Sequence, residues 1–138
     1  RLMSDHQSKR VWISPQNLLR FIGAGLVIQG MLFFAFAAPL TEQIFPGVDD
    51  EAAHVGIIMR QSLAGMSFLA GLVVFLVRDE TDRVARRVLF GCGIGLTAIT
   101  LSMVRVIVTQ AAVVPIPGLL IYLLTGFMAI FIAIRAPR

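Results

Sequence analysis

Four long apolar runs dominate the chain, at about 17–39, 54–77, 88–109 and 118–134, and polar residues are confined to the short segments around them. Each run can cross a hydrocarbon core of roughly 30 Å as a helix rising about 1.5 Å per residue. The second and third runs are joined by a tight charged turn from Arg78 to Arg87, so they form a hairpin. The pattern predicts an all-α polytopic membrane protein, an antiparallel four-transmembrane-helix bundle, with residues 1–138 making a single integral membrane domain.

Local signals mark where the helices start and stop. Ser14-Pro15 pairs an N-cap serine with a proline suited to the first helical position, and Trp12 is placed as an interfacial anchor just before it. Ala35-Phe36-Ala37 matches a cleavage pattern, but the apolar stretch exceeds a usual signal core, so an uncleaved span is expected. Residues 40–53 read as a loop with a turn at Phe45-Pro46-Gly47, after which Asp49 or Asp50 can cap the second helix. In the charged turn, Asp79 with Arg83 and Asp82 with Arg86 have i, i+4 spacing, and Thr81 can cap the third helix.

Composition agrees with the pattern. Hydrophobic residues make up 57% and charged residues only 14%, unlike an average soluble domain. A pI near 10.6 raises the question of nucleic acid, but the basic residues flank apolar spans and form no long basic patch. No nucleic-acid partner is expected. Arg1, Lys9, Arg10 and Arg20 precede or open the first span; Arg78, Arg83, Arg86 and Arg87 fill the middle turn; Arg135 and Arg138 follow the fourth span. The two remaining loops carry no Lys or Arg, so the positive-inside rule predicts both termini in the cytoplasm. A bacterial inner (cytoplasmic) membrane, crossed several times, is the expected location.

Two arginines fall outside this scheme. Arg60 lies 18 residues before Arg78 and Arg105 lies 18 after Arg87. Each is therefore roughly 27 Å along its helix from the charged turn, at a shared depth. Arg60, Ala64, Ser67 and Gly71 form one stripe; Gly91, Gly95, Ala98, Ser102 and Arg105 form another. Small residues at this spacing let helices approach closely in lipid. If the two seams face each other, the arginines meet and need an anion between them. Candidates are the acidic loop (Glu42, Asp49, Asp50 and Glu51), a lipid phosphate or a ligand carboxylate. Interfacial anchoring with snorkelling is the simpler reading of both arginines, and contact with a partner subunit is a further one.

The spans carry little other chemistry. None contains Asp or Glu, which argues against a proton-coupled carrier. His6 and His54 lie outside or at the edge of the spans, too far apart to suggest a metal or haem site. Cys92 is the only cysteine, which excludes a dithiol mechanism. Gln29 is expected to hydrogen-bond between helices, Thr97, Thr100 and Thr125 to their own backbone, and Tyr122 to pack in the core. Neither an enzyme nor a bound cofactor is expected.

The runs Met59-Arg60-Gln61-Ser62-Leu63-Ala64-Gly65, Gly71 to Arg78, and Ala85-Arg86-Arg87-Val88-Leu89-Phe90-Gly91 carry a resemblance. They resemble uncharacterised bacterial four-helix inner-membrane proteins with a DoxX-like arrangement. Over most of residues 20–135, the resemblance implies a small integral inner-membrane protein without an assigned activity. Together with the missing catalytic groups, the small-residue seams predict a non-catalytic accessory subunit packed against other membrane protein subunits and lipids. A photosynthetic or respiratory complex is the natural host. A lipid or small-anion binding or transport protein using Arg60 and Arg105 is the alternative.

Overall fold

The computed structural model describes residues 14–109 and 113–135. Arg1, His6, Lys9, Arg10, Trp12 and Arg138 lie outside the described residues. The described chain is helical: α1 (Pro15–Ala35), α2 (Ala37–Ile44), α3 (Asp50–Leu76), a 3-10 turn (Val77–Asp79), α4 (Asp82–Val108) and α5 (Ile116–Arg135). Helices α1, α3, α4 and α5 are long and apolar enough to cross a membrane. Most large apolar side chains along them are exposed, as expected where hydrocarbon and not water is the solvent.

The helix ends follow their local chemistry. Ser14 Oγ accepts from the Asn17 amide at 3.2 Å, with Pro15 opening α1. Asp49, rather than Asp50, caps α3: its Oδ1 accepts from the Ala52 amide at 2.7 Å. Thr81 stands at the start of α4 but makes no side-chain cap bond. Gly47 takes φ +82° in the turn after Pro46, a conformation that favours glycine.

Residues 40–44 correct the expected loop, because they are helical. Pro39 has no amide to reach Ala35, and its ring crowds that carbonyl, so the helix breaks at Phe36 (φ −110°, ψ 28°). Proline is tolerated in a first helical turn, so the chain re-enters a helix as α2. The helices α3 and α4 likewise begin earlier than their apolar runs, at Asp50 and Asp82, since hydropathy marks the hydrocarbon boundary and not the hydrogen-bonded one.

Helix α3 packs along α1, α4 packs along α5, and α1 joins the two pairs. Where α1 and α3 cross, small residues bring the backbones together. A Cβ on Gly71 would lie 2.7 Å from Val27 N and 2.8 Å from Gly23 O; one on Gly30 would lie 2.8 Å from Ala64 O. Ser67 Oγ adds an interhelical bond to Leu26 O at 3.1 Å. Between α4 and α5, a Cβ on Gly93 would lie 3.1 Å from Gly126 O. The core gathers near the charged turn, where Leu18, Leu19 and Ile22 of α1 meet Val74, Ala85 and Leu89.

Candidate functional site

The two small-residue seams do not face each other. Ala64, Ser67 and Gly71 of α3 are spent against α1. The α4 stripe of Gly91, Gly95, Ala98 and Ser102 is exposed, and a Cβ on Gly91 or Gly95 would meet nothing within 4 Å. The reason is rotational: α4 uses its neighbouring stripe, Ala85, Leu89, Gly93, Leu96 and Thr100, to bury itself. The facing-seam arrangement that would join Arg60 to Arg105 is therefore absent.

Arg60 is partly buried. Its Nε donates to Thr41 Oγ1 at 3.2 Å, and its guanidinium lies 5.7 Å from the centre of the Phe33 ring. Thr41 is buried and in turn donates to Ala37 O at 2.7 Å. The helical turn α2 thus folds a hydroxyl onto the arginine, which the expected loop would not have held in place. Arg105 is exposed in the last turn of α4, where a cation complements the helix dipole. Glu42, Asp49, Asp50 and Glu51 are all exposed. Among the described residues, none of them pairs with either arginine.

The charged turn builds a different cluster. Asp79 pairs with Arg20 of α1 at 3.3 Å and with Arg78 at 3.4 Å. The expected Asp79–Arg83 pair does not form because the 3-10 turn ends at Asp79, which breaks the helical register between them. Asp82 and Arg86, both within α4, do pair at 3.9 Å, and Gln16 donates to Asp82. Arg78 also donates to Phe75 O at 2.9 Å and stacks 4.0 Å from the Phe75 ring centre. Of these, the Arg20–Asp79 pair and the Gln16–Asp82 bond tie the start of α1 to the charged turn and α4, at modest energy because they are exposed.

Away from this cluster, a groove of about 400 Å³ opens between α1, α4 and α5. Gly25, Gln29 and Phe33 line it from α1, and Gly118, Tyr122 and Thr125 from α5. Tyr122 donates its hydroxyl to Gln29 Oε1 across it. An interhelical bond from Gln29 matches the expectation from sequence, whereas its partner is not legible there. The pair is 93 residues apart in the chain, and nothing in either local pattern joins them. A second, smaller cavity is lined by Gly30, Phe34, Ala64 and Phe68. Neither cavity reaches Arg60 or Arg105.

Among the described residues, no three His, Cys, Asp or Glu side chains come together as a metal site. No known family model matches the chain, and neither a characterised protein nor a solved structure matches it. The geometry defines the class: a multi-pass helical membrane protein.

Proposed function

We propose that this chain is a non-catalytic accessory subunit that packs against a larger membrane protein complex through α4. The observation that carries the reading is the exposed stripe Gly91, Gly95, Ala98 and Ser102. At Gly23, Gly30, Gly71 and Gly93 this chain consumes small residues in backbone-close contacts, whereas among the described residues no helix packs on this stripe. Arg105 stands at its end, exposed and without an acidic partner among the described residues, so an acidic or carbonyl-rich neighbour would complement it. The reading includes an antiparallel bundle in a bacterial inner membrane, with both termini cytoplasmic by the distribution of Lys and Arg. The DoxX-like resemblance fits the same topology, and an energy-transducing complex is the proposed host.

The test is purification from the native membrane in mild detergent, with mass spectrometry of what co-migrates. A stoichiometric complex that is lost with Gly95→Leu but retained with Gly65→Leu supports the reading; both positions have room for the new side chain. A chain that runs alone, or only with copies of itself, overturns it.

A further inference from the structure

The groove between α1, α4 and α5 sits among otherwise apolar surfaces, yet it contains a polar pair. The Gln29 carbonyl takes the Tyr122 hydroxyl. Among the described residues, nothing hydrogen-bonds to the Gln29 amide nitrogen, which leaves two N–H donors unspent. An unspent donor facing hydrocarbon is costly, because lipid tails offer no acceptor. Thr125 supplies a further hydroxyl on the same wall. The recess exists because Gly25 and Gly118 leave space beside the pair; a Cβ on Gly25 would meet nothing within 4 Å.

We propose that this groove binds one uncharged membrane-soluble amphiphile, with an apolar chain along α1 and a hydroxyl or carbonyl oxygen accepting from the Gln29 amide. Three features select that class. The volume, about 400 Å³, lies within the range of small-molecule sites, and the walls are nearly all apolar. Among the described residues no charged side chain lines the groove, so none of them holds a phosphate or carboxylate head group there. The polar pair also lies within the spans: Gln29 is 6 residues from the end of α1 and Tyr122 is 6 from the start of α5, each about 9 Å inside its helix. A phospholipid head group belongs at the interface and would not descend to that depth, whereas a neutral alcohol or ketone can.

The experiment uses the full chain in phosphatidylcholine nanodiscs with a photoreactive long-chain alcohol as probe, followed by peptide mapping of the label. Saturable labelling is expected on α1 and α5 around Gln29 and Tyr122. It should be competed by the unlabelled alcohol and not by phospholipid of the same chain length. Gln29→Leu should weaken apparent affinity roughly fivefold, the factor that about 1 kcal/mol for one hydrogen bond represents. Gly25→Leu should abolish labelling by filling the recess, while thermal unfolding confirms that the fold is intact. Labelling that spreads over all lipid-facing helices, that phospholipid competes equally, or that survives Gly25→Leu in a folded protein would overturn the proposal.

Discussion

Gly71→Ala tests whether α1 and α3 are held together by backbone contact. The added Cβ would sit 2.7 Å from Val27 N, 2.8 Å from Gly23 O and 2.9 Å from Leu26 Cβ. Ordinary contact begins at 3.4 Å, so the methyl is about 0.5 to 0.7 Å too close to three atoms, two of them backbone. Rotamer changes cannot relieve a backbone clash, so α1 must move away from α3. A gap of about 0.5 Å already forfeits roughly a quarter of the dispersion energy of each facing atom pair. It also stretches the Ser67 Oγ to Leu26 O bond from 3.1 Å to the limit of a hydrogen bond, at a cost of about 0.6 kcal/mol. Overpacking of this kind costs about 1–3 kcal/mol, and the better helix propensity of Ala offsets up to about 1 kcal/mol. With the full offset the net expectation is a loss of up to about 2 kcal/mol. Gly65→Ala, on the same helix but with nothing within 4 Å of its Cβ, keeps the propensity gain and meets no clash. Reversible unfolding in mixed micelles of increasing SDS content reads both variants. Gly71→Ala should shift the midpoint down and Gly65→Ala should leave it unchanged or raise it. Equal midpoints for the two would refute the close α1–α3 contact.

Further expectations follow from the other contacts. Gly93→Val should weaken the α4–α5 pair by about 1–3 kcal/mol, because a Cβ there meets Ile130 Cγ1 at 2.6 Å and Gly126 O at 3.1 Å; loss of cross-linking between cysteines introduced on the two helices is the readout. Thr41→Val keeps the side-chain shape but removes the oxygen that Arg60 Nε donates to, and should cost about 1 kcal/mol in the same unfolding assay. Gln29→Leu and Tyr122→Phe, combined in a double-mutant cycle, should show a coupling of about 0.6 kcal/mol and at most about 1.7, and zero coupling would deny their bond in the folded protein. Asp79→Asn should destabilise by less than about 1 kcal/mol, with the difference shrinking at high salt, since Asp79, Arg20 and Arg78 form exposed or half-exposed pairs.

The number of spans and several of their ends were legible in the amino-acid order, because they depend on the chain and its solvent alone. A membrane helix satisfies its own backbone, so an apolar run of sufficient length is enough to predict it. Caps act over three or four residues, and Ser14 and Asp49 cap where their spacing indicated. The break at Phe36 was also encoded locally, in Pro39, although the apolar pattern runs through it without interruption.

Helix rotation and partnership were not legible, and only the tertiary structure decided them. In lipid the side chains facing a neighbour and those facing hydrocarbon are equally apolar, so no polar face marks the outside. Helix α4 carries two stripes that could pack closely: the Gly91–Gly95 stripe lies exposed, and the one through Ala85, Leu89, Gly93 and Leu96 is buried. Composition cannot choose between them; the shape of α5 at Gly126 does. That choice separates Arg105 from Arg60, while the packing of α2 on α3 gives Arg60 the Thr41 hydroxyl in place of an acid and that of α5 beside α1 brings Gln29 to Tyr122 across the groove. Local sequence sets which segments become helices, and long-range packing sets which of their faces meet.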